Sequence, residues 1–117
     1  MGIVYVDGLV KHGGKEERVR FLVDSGATYT VLQQEVWRRL GLTAKRTVEL
    51  VLADGSTVSR ELSEAIIELP PYGQYYSPVI LGEAEDENLL GAITLEIFGL
   101  MLDPLKRVLR PIRAVLK

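Results

Sequence analysis

Phe21-Leu22-Val23-Asp24-Ser25-Gly26-Ala27-Thr28 decides how this chain is read. An apolar run ends in an aspartate, and small residues follow it. Arg18-Val19-Arg20 just before it alternate polar and apolar, so the segment describes a strand that passes from surface into core and stops at Asp24. A carboxylate in such a place is costly to bury unless it is paired or hydrogen-bonded. As a bare tripeptide, Asp-Ser-Gly equally suits a type I or II turn after a strand. The choice between turn and site depends on the rest of the chain.

Working outward, Ile3 to Val10 reads as a first strand, with Lys11 to Glu16 as a hairpin loop around Gly13-Gly14. After the aspartate, Val31, Leu32, Val36, Trp37 and Leu40 recur at helical spacing, which predicts a short amphipathic helix over Val31 to Leu40 capped by Gly41. Thr47 to Leu52 and Thr57 to Leu62 flank Ala53-Asp54-Gly55-Ser56, a strong hairpin signal. A second hairpin is expected from Glu64 to Leu69 and Tyr75 to Leu81, then an acidic loop from Gly82 to Asn88. Leu89-Leu90-Gly91 leads into a second helix over Ala92 to Phe98, ended by Gly99. Leu100 to Leu102 and Arg107 to Leu116 read as closing strands separated by the turn at Asp103-Pro104, with Pro111 confining the last to an edge or a bulge. An apolar strand, a glycine turn and a helix ending in Gly-Leu thus occur twice, at Val23 to Leu42 and at Leu89 to Leu100. The expectation is one all-β domain over residues 1–117 with one or two short helices and two related halves.

Bulk properties narrow the chemistry. The 117 residues carry 14 basic and 16 acidic side chains, a formal charge of −2 that would not attract nucleic acid or an anionic membrane. The basic residues near the end, Lys106-Arg107 with Arg110, Arg113 and Lys117, interleave with apolar ones as in a strand with one wet face. No apolar run approaches the roughly 20 residues of a membrane helix. The N-terminus has neither the basic start nor the apolar stretch of a leader, so a cytoplasmic location is expected. There is no cysteine, which excludes disulfides and thiolate chemistry. The single histidine, His12, has no partners for a Ser-His-Asp triad or a multi-histidine metal site.

Carboxylates remain. Asp7 and Asp54 each precede glycine and read as hairpin tips; Asp86 sits in the acidic loop, and Asp103 precedes Pro104. Each has a sufficient turn explanation, because a short carboxylate bonds nearby backbone N–H groups. Asp24 is the exception.

Two motifs in order, the Phe21-to-Thr28 stretch and then Asn88-Leu89-Leu90-Gly91 with a helix behind it, resemble the retropepsin-like aspartic proteases, single-domain bacterial and archaeal members in particular. Gly99-Leu100-Met101-Leu102-Asp103 and Arg107-Val108-Leu109 extend the likeness over nearly the whole chain. The resemblance implies a closed β-barrel that is half of an acid protease, and a homodimer, since only one Asp-Ser-Gly is present. It assigns Asp24 as catalytic acid and base, Ser25 as the hydroxyl that holds the partner's loop, and Gly26 as the residue letting substrate backbone approach. Ala27 and Thr28 would contact substrate, and Ala53, Asp54, Gly55 and Ser56 would form a flap over it. Two such carboxylates within hydrogen-bonding distance share one proton, so one can activate water while the other polarises the scissile carbonyl. Neither metal nor organic cofactor is implied. A peptide or unfolded protein would bind as an added β-strand.

Thr28 and Ala92 depart from the retroviral pattern, in which an aspartate and an arginine at these places pair. Losing both is coherent, because losing one would strand a buried charge. The competing readings are a retropepsin-like dimerisation or peptide-binding module with little turnover, and a monomeric β domain with Asp24 in a structural turn.

Overall fold

The computed structural model describes residues 3–113. Among the described residues, nine strands and two helices follow in the order β1 (Tyr5–His12), β2 (Lys15–Val23), β3 (Thr30–Leu32), α1 (Gln34–Leu40), β4 (Arg46–Val51), β5 (Thr57–Glu68), β6 (Gln74–Leu81), β7 (Leu89–Leu90), α2 (Ala92–Phe98), β8 (Leu100–Asp103) and β9 (Val108–Pro111). The main sheet has the order β1-β2-β7-β3-β6-β5-β4, and β1 also pairs with β5. That extra pairing closes six strands into a barrel and leaves β4 outside it, carried on the projecting end of β5. Phe21, Leu32, Ile67, Val79 and Leu90, wholly buried, fill the interior from five strands. Strands β8 and β9 form a separate two-stranded sheet. Neither helix is long and apolar enough to cross a membrane.

The two-half pattern read from the sequence has a geometric counterpart. Both helices are seven residues long and end on a left-handed glycine, Gly41 (φ 71°) and Gly99 (φ 66°), a conformation that favours glycine. Leu42 and Leu100 follow those caps and are buried. In each half an apolar strand leads toward such a helix, and the two strands, β2 and β7, lie side by side in parallel.

Several local expectations are corrected. Asp7-Gly8 is not a hairpin tip: it lies in the middle of β1, with Asp7 opposite Arg20 and Gly8 opposite Val19. The glycine is there for space, since a Cβ at Gly8 would stand 2.7 Å from the Glu68 carbonyl oxygen where β5 crosses. The first hairpin turn is shorter than Lys11 to Glu16; Gly13-Gly14 alone make it. Val31 and Leu32 belong to β3, which the β-branched Thr30 and Val31 favour as a strand and which completes the barrel wall between β6 and β7. The helix starts only after Gln33, whose side chain accepts the Glu35 N–H.

Thr57 to Leu62 and Glu64 to Leu69 are not strands of two separate hairpins. They merge into the 12-residue β5, which pairs with β4 over its first half and with β6 and β1 over its second. Ser63 lies buried in that strand, its hydroxyl donating to Thr43 O at 2.7 Å. Arg107 is not a strand residue either; it stands in the left-handed region (φ 57°) in the turn after Asp103, whose carboxylate accepts the Leu105 and Lys106 N–H groups. Pro111 does occupy an edge, opposite Leu100 in the two-stranded sheet. The final part of the expected strand, 114–116, lies outside the described residues.

Substituting Gly8→Ala is expected to cost about 1–3 kcal/mol, because the methyl meets backbone that cannot retreat without opening the β1–β5 seam. Urea unfolding would register this as a lower midpoint at unchanged slope.

Candidate active site

Asp24 is the first residue beyond β2, and the chain beneath it fixes its height. The Asp24 N–H donates to Leu90 O at 3.0 Å, continuing the parallel β2–β7 pairing one step past the strand. Its carboxylate Oδ1 accepts the Gly26 N–H at 3.0 Å. Asp24 is half-buried, while Ser25 and Gly26 are exposed. The carboxylate therefore sits at an open surface with its backbone anchored below and one oxygen bonded to its own turn.

The loop from Asp24 to Thr30 rests on the second motif. Gly91 runs so close under it that a Cβ there would lie 2.4 Å from both the carbonyl carbon and oxygen of Tyr29. Ala92 N–H donates to Ala27 O at 2.7 Å, and Ile93 N–H to Thr28 O at 3.0 Å. The first backbone N–H groups of α2 thus find acceptors in the loop, a need every helix start has.

A buried line of hydroxyls completes the support. Gly91 N–H donates to Thr30 Oγ1 at 3.0 Å; Thr30 Oγ1 and Thr94 Oγ1 are 2.5 Å apart, and Thr94 Oγ1 and Ser77 Oγ 2.8 Å apart. Ser77 in turn donates to Pro78 O at 3.1 Å. Read in one direction, each hydroxyl accepts one hydrogen bond and donates one, so none of the three is left without a partner. Sequence reasoning missed Thr30, Ser77 and Thr94; their only signal was a small hydroxyl residue inside an apolar stretch.

Beside the loop lies an open pocket of about 220 Å³ between Gly26 to Tyr29 on one side and Leu50, Val51 and Leu52 of the β4–β5 hairpin on the other, with Val31 and Ile80 also lining it. Ala27 and Thr28 therefore line a groove, and Gly26 borders it. Ala53, Asp54, Gly55 and Ser56 form the hairpin tip and are exposed; the pocket is lined instead by the hairpin arm that precedes them. Leu50, Val51, Leu52, Tyr29, Val31 and Ile80 were not singled out from the sequence, because apolar residues facing a groove look the same as apolar residues facing a core. The tip is held by its own polar groups: Asp54 Oδ1 accepts the Ser56 hydroxyl at 2.5 Å and the Ser56 N–H at 2.9 Å. A second pocket, of about 300 Å³, lies under Ser25 and is walled by Ala92, Leu95, Glu96 and Leu100 to Leu102.

Comparison with known proteins agrees with this geometry. A family model described as aspartyl protease matches residues 6–92, a span that includes the Asp24 loop, the hairpin and the Leu89-Leu90-Gly91 segment. No curated protein matches the chain.

Two outcomes test the local arrangement. Thr94→Val should destabilise the fold by about 1–3 kcal/mol by leaving Thr30 and Ser77 without their shared partner, and Thr94→Ser should recover most of that in thermal melts. The Ser56 hydroxyl, with the Ser56 N–H, holds the Asp54 carboxyl below its ordinary value of 3.8. The tip's stabilisation is then complete above that ordinary value and is lost only as pH falls through the lowered one. In Ser56→Ala the Asp54 midpoint, followed by NMR titration, should move back up toward 3.8.

Proposed function

The chain belongs to the aspartyl protease family, and from that premise we propose that it is a homodimeric aspartic endopeptidase in which two copies of Asp24 form one site. The observation that carries this reading is Asp24 itself, its backbone N–H held from below by Leu90 O, its carboxylate open to solvent above, and an apolar groove beside its loop. One such carboxylate can hold a water but cannot both activate it and polarise a carbonyl; two facing copies can divide the tasks.

In the proposed reaction the ionised member takes a proton from the shared water as its oxygen attacks the scissile carbonyl carbon. The protonated member gives its proton to the carbonyl oxygen. As the resulting diol collapses, the first carboxyl gives its proton to the departing amine nitrogen, the second carboxylate takes a proton back from a diol hydroxyl, and the C–N bond breaks, leaving acid and amine products and a dyad that again holds one proton. Ser25, exposed beside Asp24, is assigned to bond the partner's loop, and Gly26 to leave substrate backbone room to approach, since a Cβ there would come within 3.3 Å of Asp24 Oδ1. Ala27, Thr28 and the hairpin arm would grip an extended peptide, with Ala53 to Ser56 as the flap tip. Strand β4 ends the main sheet, so its outer edge has backbone groups available for an added strand.

Asp24→Asn should lower cleavage of a diverse peptide mixture at acidic to neutral pH by at least about a hundred-fold, the scale of lost acid–base catalysis. Wild-type specific activity should fall on dilution as dimers dissociate, with sedimentation showing the 13.0 kDa chain replacing a species twice its mass. Equal cleavage by wild type and Asp24→Asn would remove the catalytic role and favour a peptide-binding module.

A further inference from the structure

The groove beside the Asp24 loop continues past the hairpin arm. A further pocket of about 180 Å³ shares Val31, Leu50, Leu52 and Ile80 with it, and Val58 and Leu89 extend its apolar wall. Its far rim is charged, with Arg60 reaching in from β5 and Asp86 and Glu87 from the loop after β6.

The charges at that rim do not cancel. Arg60 Nη1 lies 3.1 Å from Glu83 Oε2, so its cation already has a partner. Asp86 Oδ2 accepts the Glu83 N–H at 2.6 Å, which orients the carboxylate without neutralising it. Glu87 is exposed and takes no ion pair among the described residues. The pocket rim therefore carries two carboxylates, Asp86 and Glu87, and one guanidinium that Glu83 already pairs. An anionic side chain entering the pocket would have to displace Glu83 from Arg60 and lie beside the remaining carboxylates.

We propose that this pocket is a substrate subsite selecting a lysine or arginine side chain, with the aliphatic stem against Val31, Leu50 and Leu89 and the cationic head at Asp86 and Glu87. Long basic side chains divide themselves in this way, burying the stem while the head stays in water. The subsite rests on the peptide-binding groove of the function proposed above. Its selectivity is modest, because the rim is partly solvated and exposed ion pairs are weak.

The test uses peptides identical except at one position, which carries lysine, norleucine or glutamate and is moved stepwise along the sequence. Each is titrated against the Asp24→Asn protein by fluorescence anisotropy and offered to wild type as a substrate. At one position lysine should bind about three-fold more tightly than norleucine and glutamate most weakly, and the lysine advantage should shrink in Glu87→Gln and at high salt. Norleucine equal to or better than lysine at every position, or a lysine advantage unchanged in both Glu87→Gln and Asp86→Asn, overturns the subsite. Lysine-selective binding without any wild-type cleavage supports the subsite and overturns the endopeptidase reading; cleavage without lysine selectivity does the reverse. If no peptide binds or is cleaved, both fall.

Discussion

The contact on which the rest depends is the passage of Leu89-Leu90-Gly91 beneath the Asp24 loop. Leu90 O receives the Asp24 N–H, and Gly91 lets the two backbones come closer than any side chain would allow. A catalytic carboxylate on a surface loop would ordinarily inherit that loop's mobility. Here the loop lies on a strand that is itself part of the barrel wall, between β2 and β3. The aspartate is thereby exposed at its carboxylate and rigid at its backbone, the combination a preorganised acid–base group needs.

That arrangement explains why polar groups penetrate the core where they do. Thr30, Ser77 and Thr94 come from β3, β6 and α2; β3 and β6 are paired neighbours, and β7 leads the chain into α2 beside them. A purely apolar core at this point would leave the Gly91 N–H without an acceptor, and a buried unpaired donor costs more than a hydrogen bond returns. The hydroxyls satisfy one backbone group and one another, and they join the site's floor to the barrel wall.

Much of the framework was legible in the sequence, and what was not has a common cause. Helix ends at Gly41 and Gly99, the hairpin at Asp54-Gly55 and the apolar approach to Asp24 are local signals and read correctly. Gly8, Val31 and Ser63 were misplaced because their roles are set by partners distant in sequence. Gly8 makes room for Glu68. Val31 pairs with Ile80 and Leu89. Ser63 lies where β5 turns from β4 toward β6 and β1, and looks like a break only if the neighbours on both sides are unknown. Asp24 could be singled out because an aspartate after an apolar run is anomalous on its face; the walls of the groove could not, because leucine and isoleucine are anomalous nowhere.

The uninterrupted β5 strand has one more consequence. Its first half projects with β4 as the hairpin arm over the groove, and its second half is a stave of the barrel, with Leu62 paired to both Arg46 and Ile80 at the junction. The hairpin is thus a cantilever, not a gate on a loop hinge. Lifting it bends a strand about a fulcrum at Leu62-Ser63, and the force of that bending is delivered straight into the wall that also carries Val79 and Ser77.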